Sequence, residues 1–145
     1  MPGVGIGSMN EPEIQRRHLT SHKVNGLNES LDITTRDATG PGGAHHAYQI
    51  EWPDTIVDPP GGGHKGGHEA RINFQKGPIA EEGVNGVSNE SLLAIVEDRL
   101  KSFQAGPFSC RENAIALTHI QDALHWLHHR TRERLARGVE GTSRI

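Results

Sequence analysis

Four arginines crowd eight positions near the C-terminal end, at 130, 132, 134 and 137. Arg130, Arg134 and Arg137 fall at i, i+4 and i+7, so on a helix they share a face, with Arg132 to one side. Only Glu133 and Glu140 stand close enough in sequence to neutralise them. A guanidinium presents paired donors in a plane that fits the oxygens of a phosphate, and three on one face make a candidate anion site. The same cations also complement the negative end of a helix dipole, which is the plainer reading of their position.

The other residues capable of chemistry are scattered. His64 and His68 are four apart, but the run PPGGGHKGGH will not form the helix that would align them. His125 and His129 share a helical face without a carboxylate to complete a ligand set, and His119 and His128 do not join them, so no metal is expected. Glu81, Glu82 and Asp98 show no arrangement for general acid–base work. HExxH, GxSxG and the nucleotide-hydrolysing lysine motif are missing. These features predict a binding protein, not an enzyme, with no cofactor. Cys110 is the only cysteine, which excludes an internal disulfide and fits a reducing compartment. Beside a helix start its thiol is a candidate nucleophile, although a small buried residue is the simpler expectation.

The element that must position the arginines is a long helix. Ser109 and Glu112 fit a capping box, Leu117, Ile120, Leu124 and Leu127 recur at three- and four-residue spacings, and Gly138 supplies a left-handed stop after Arg137. This predicts a helix of about thirty residues and roughly 45 Å. A shorter helix precedes it, capped by Ser88 or Asn89, patterned by Leu92, Leu93, Val96, Leu100 and Phe103 down to Gln104, and stopped by Gly106 and Pro107. The short connection makes the two antiparallel neighbours. Upstream, Ala44–Trp52 alternates as a strand with His46, Tyr48, Ile50 and Trp52 on one side, and Ala70–Gln75 reads as a second. Between Gly77 and Val87 the glycines are read as turn punctuation, with Gly83 and Gly86 at positive φ. A lesser alternative has backbone N–H groups there lining an anion pocket edged by Lys76.

The expected fold class is α+β: a two-helix antiparallel hairpin, a small antiparallel β-sheet and a largely irregular N-terminal extension. Residues 1–43 read as a flexible extension with Leu27, Leu31 and Ile33 as candidates for local docking on a folded neighbour, 44–69 as a strand with a Gly/Pro-rich loop, and 70–145 as a strand plus the hairpin domain. With 33% hydrophobic and 4% aromatic residues in 145, the folded part is smaller than the chain. It is too small for a secure core without oligomerisation. A net charge of −3 argues against a general nucleic-acid binder. No apolar run approaches the roughly eighteen residues of a membrane span, and no signal peptide opens the chain, so a soluble intracellular protein is expected.

Phe103 and Asn113 approach each other at the hairpin turn, but Asn113 and Arg130 lie seventeen positions apart, roughly 25 Å along one helix. A nucleotide-sized ligand cannot span that distance. A single site using all of them requires a two-fold dimer with the long helices antiparallel, where Phe103 of one copy stacks on a base and arginines of the other hold phosphates.

FQKGPIAEEGVNGV, followed by LLAIVEDRLKSFQAGPFSCRENAIAL, HWLHHRT and RGVEGT, resembles the phage Thoeris anti-defence proteins of the first type, whose hairpin domain is shared with anti-CBASS sponge proteins. The likeness runs from about Ile72 to Thr142. It implies a sponge without catalytic activity that sequesters a cyclic ADP-ribose isomer in the host bacterial cytoplasm, built as a homodimer or a higher oligomer of dimers. By motif, Phe103 and Asn113 would contact base or ribose, Arg130 and Arg134 the pyrophosphate, and Arg137 would be a further candidate. Lys76–Pro78 would mark a second site for cyclic di- or trinucleotides, although that segment lacks an arginine. The alternatives are a phosphodiesterase or lyase that cleaves the signal, and a phage structural or nucleic-acid-associated protein.

Overall fold

A computed structural model describes residues 15–54 and 67–145. The chain divides into two compact units between Ile72 and Asn73. Its elements are β1 (His18–Leu19), α1 (Gly26–Glu29), β2 (Asp32–Thr35), β3 (Ala47–Pro53), β4 (Gly67–Asn73), α2 (Ile79–Glu82), α3 (Asn89–Ala105) and α4 (Arg111–Ala136). The class is α+β, with sheet and hairpin as expected.

The first unit is the sheet, in the order β1-β2-β3-β4. β1 and β3 both pair antiparallel to β2, with Thr34 opposite Gln49 and Thr35 opposite Tyr48. The irregular extension thus contributes two short strands, a pairing invisible to local patterning because its hydrogen-bond partners lie outside the segment. β3 begins three residues later than the alternation implied, and its most buried residue is Gln49, on the face opposite Tyr48, Ile50 and Trp52. The unit's interior is polar. Thr35 is fully buried, and its Oγ1 accepts the Arg17 N–H at 2.8 Å. Burial works to raise the pKa of Asp37, but backbone N–H groups of His46 and Ala47 and the nearby His45 outweigh it and hold the carboxyl below its ordinary value. His64 and most of the glycine-rich loop fall outside the described residues. His68 pairs with Asp54 and stacks on Trp52.

The second unit begins with a pinned loop. The Val87 N–H donates to Asn73 O at 2.8 Å and the Gln75 N–H to Val87 O at 2.9 Å, closing residues 73–87. Gly83 adopts φ +68° as expected. Gly86 does not have positive φ; glycine is needed because a Cβ would sit 2.4 Å from the Phe74 carbonyl carbon. α3 starts at a Ser88 cap closed reciprocally by Ser91. α4 has 26 residues, about 39 Å. Its cap is Cys110 rather than Ser109: the thiol accepts the Asn113 N–H at 3.4 Å, and Gln104 Oε1 takes the Cys110 N–H at 3.0 Å, the partner expected of Glu112. The cap lies on the surface, so Cys110 is exposed, not buried. The helix ends in a Schellman turn: Gly138 has φ +69°, its N–H bonds Leu135 O, and the Val139 N–H bonds Arg134 O.

α3 and α4 pack on each other along the expected stripe, and Leu124 is the buried member. Leu117, Ile120 and Leu127 are half-buried. The hairpin leaves much apolar surface outside: Ile95 is 59% exposed, Trp126 65% and Leu135 60%. Val96 and Phe103, on the predicted stripe, are also partly exposed. Among the described residues no helix is long and apolar enough to cross a membrane.

Candidate functional site

The hairpin places the candidate side chains at its two ends. Phe103 comes from the last turn of α3, with its ring partly exposed. One turn earlier Arg99 lies over that ring, its Cζ 5.5 Å from the centroid. A cation over an aromatic face is favourable and leaves guanidinium edges for an anion. Sequence reasoning did not single out Arg99, although its i, i+4 spacing to Phe103 was the available signal. Asn113 follows in the first turn of α4, half-buried, its backbone held by the Cys110 thiol. Phe103, Arg99 and Asn113 therefore gather at the turn end of the hairpin, and Gln104 fixes the connection between them.

The arginines lie at the other end, and they are not equivalent. Arg130 is exposed and makes no hydrogen bond or ion pair among the described residues. Arg134 is only 12% exposed in its side chain and is fully engaged. Its Nε donates to Glu140 Oε2 at 3.0 Å, one terminal nitrogen to Arg144 O at 2.9 Å, and the other to Val139 O and Thr142 O, both at 3.0 Å. Arg137 donates to Ile145 O at 3.1 Å and stays exposed. A shared face on the helical wheel thus yields one free cation, one internal brace and one partly used donor. The physical cause is the Schellman turn, which folds residues 139–142 back beneath Arg134 and leaves their carbonyls in need of donors.

Lys76 sits in the pinned loop with its side chain exposed. The loop's backbone donors are largely committed within the protein: the Lys76 N–H goes to Asn85 Oδ1 at 2.8 Å, the Asn85 N–H to Gln75 Oε1 at 2.9 Å, and the Ala80 N–H to Gly141 O at 3.1 Å. Those three N–H groups are not free for an anion. On the exposed surface of α4, His125 and His129 meet Trp126 edge-on at 5.5 and 5.7 Å, and His129 Nε2 lies 3.3 Å from Glu133 Oε1. Among the described residues no three His, Cys, Asp or Glu side chains gather as a metal set.

Residues 67–132 match the family described as Acb2/Tad1, hairpin domain. A curated relative, Thoeris anti-defense 1 of Bacillus phage SBSphiJ7, is 57% identical over 76 residues, covering 52% of this chain and 54% of the relative. The chain spans about half the length of the curated relative it matches. It resembles the Thoeris anti-defence proteins, as the motifs from FQKGPIAEEGVNGV onward indicated.

Proposed function

We propose that this protein acts in phage anti-defence, as a sponge that binds cyclic ADP-ribose-type immune signals and withholds them without cleaving them. The carrying observations are the likeness to Thoeris anti-defense 1 and the match of residues 67–132, the segment that holds Phe103, Asn113 and Arg130, to the Acb2/Tad1 hairpin domain. The geometry supplies supporting chemistry: an aromatic ring and an amide at one end of the hairpin, and an uncommitted guanidinium at the other. One protomer cannot close the site, because Asn113 and Arg130 are roughly 25 Å apart along α4. We therefore place the second half on a two-fold mate. The apolar surface left on Ile95, Trp126 and Leu135 supports this, since an isolated hairpin gains by covering it.

In that arrangement Phe103 stacks on the base, Asn113 meets base or ribose, and Arg130 takes the pyrophosphate. Arg134 contributes mainly by shaping the helix end on which Arg130 and Arg137 stand, because using it for ligand would cost its internal bonds. The exposed Lys76 is the candidate for a second, cyclic-oligonucleotide ligand, met by its ammonium rather than by the loop backbone. The protein would work in the host cell's cytoplasm.

The test is incubation with a panel of cyclic ADP-ribose isomers and cyclic di- and trinucleotides, with thermal shift as the first readout. The denatured mixture is then analysed by chromatography. Recovery of intact ligand supports a sponge; a new product would establish a phosphodiesterase or lyase. No thermal shift with any ligand, together with salt-sensitive duplex binding, would move the protein to the nucleic-acid-associated class.

A further inference from the structure

The proposed ligand leaves a charge unanswered. A pyrophosphate ester carries a negative charge on each of its phosphates, and the end of α4 offers fewer free cations than its arginines suggest. The Arg134 guanidinium is committed to Glu140 and to the carbonyls of Val139, Thr142 and Arg144. Arg137 gives one nitrogen to Ile145 O. Of the three on that face, Arg130 alone is wholly uncommitted among the described residues. A second free guanidinium has to come from elsewhere, and the turn end of the hairpin holds one.

Arg99 is exposed on α3 and lies over the Phe103 ring, its Cζ 5.5 Å from the centroid. It makes no hydrogen bond or ion pair among the described residues. Its near neighbour Lys101, by contrast, is paired with Glu97 at 3.1 Å. Stacking engages the face of a guanidinium and not its edge, so the N–H donors of Arg99 stay available beside a ring that is itself 38% exposed. The i, i+4 contact also restricts both side chains, so the donors are held near the ring before any ligand arrives. One face of the ring is thereby taken, and a base can stack only on the other. A phosphate joined to that base through a ribose then comes within reach of the guanidinium edge, at the hairpin end that carries Asn113. We propose that Arg99 is a further binding residue of this site, meeting one phosphate of the ligand while Arg130 of the two-fold mate meets the other. The assignment rests on the cyclic ADP-ribose reading above and adds to it: the anion is gripped from both copies, and each copy supplies an arginine of its own.

The full chain is titrated by calorimetry with the cyclic ADP-ribose isomer that gives the largest thermal shift, at several sodium chloride concentrations. Arg99→Gln should weaken binding roughly tenfold and flatten its dependence on salt, since an ionic contact is lost. Arg99→Lys restores the charge without the planar fork and should regain the salt dependence and part of the affinity. Lys101→Gln removes a cation from the same helix and should change affinity by no more than about twofold. Arg99 is exposed, and Gln and Lys are good helix formers, so neither Arg99 variant endangers the fold. Wild-type affinity in Arg99→Gln overturns the assignment. So does a loss of affinity that keeps the wild-type salt dependence, which marks a residue that only steadies the ring, and so do equal losses in Arg99→Gln and Lys101→Gln. A wild-type protein that binds none of the isomers, or Phe103→Ala binding as tightly as wild type, defeats the sponge reading and the assignment with it. Binding that needs Phe103 and ignores Arg99 defeats the assignment alone.

Discussion

The sheet unit and the hairpin unit are held together by opposite means. In the sheet the most buried side chains are Thr34, Thr35 and Gln49, and order comes from fixed hydrogen-bond partners across strands that are distant in sequence. In the hairpin the helices are specified locally, by a serine cap, a thiol cap and a Schellman end, and pack through an apolar stripe on which Leu124 alone is buried. A polar interior defines register well but tolerates little loss of partners. An apolar seam tolerates exchange, yet two helices cannot cover both sides of it. The first unit is thus organised around satisfying its own groups, while the second leaves apolar surface uncovered.

Five substitutions test this contrast, in descending order of effect. Leu124→Ala empties the middle of the α3–α4 seam and is expected to cost about 2–5 kcal/mol by chemical denaturation. Arg130→Ala, in the proposed site, should weaken ligand binding by about 1.5–3 kcal/mol in calorimetry, as for a charged hydrogen bond, without changing oligomer size. The same measurement on Phe103→Ala should show a comparable loss, and wild-type affinity in both would remove the site assignment. Thr35→Val keeps shape but strands the Arg17 N–H, with an expected cost of about 1–3 kcal/mol. Should it prove more damaging than Leu124→Ala, the hairpin would not be the unit that depends on apolar packing. Ser88→Ala removes one side of a reciprocal cap and should cost about 1 kcal/mol in thermal unfolding.

A pH titration separates the units in a second way. Asp37 has its carboxyl held below the ordinary value of 3.8, so the folded sheet unit binds that proton less readily than the unfolded chain. Its stabilisation is complete above the ordinary value and is lost as pH falls through the lower, folded one. Asp37→Asn should flatten that acid limb in a pH series of melting curves. An unchanged limb would locate the acid sensitivity elsewhere.

The hairpin was legible because its signals are local. Leu117, Ile120, Leu124 and Leu127 mark the packed face at helical spacing, and Gly138 stops α4 where a left-handed residue is required. The cap was displaced by one residue because a thiol is a weak acceptor seldom read as a cap, and because the partner of its N–H, Gln104, belongs to the preceding helix. β1 and β2 were illegible since short polar strands gain their stability only from pairing. Gly86 was misread because the demand on it comes from the Phe74 backbone, not from its own dihedral angle. Helical spacing placed Arg130, Arg134 and Arg137 together, but spacing does not reveal that the chain returns beneath one of them.

That return has a consequence for any shortened form of the chain. Removing residues 138–145 would strip Arg134 of all four acceptors at once and hand a mobile cation back to solvent, while unwinding the end that orients its neighbours. Such a truncate would present more positive charge and less order. It should attract polyanions indiscriminately as its grip on the proposed cyclic ADP-ribose-type ligand slackens, so in that reading selectivity is set partly by what the protein keeps occupied.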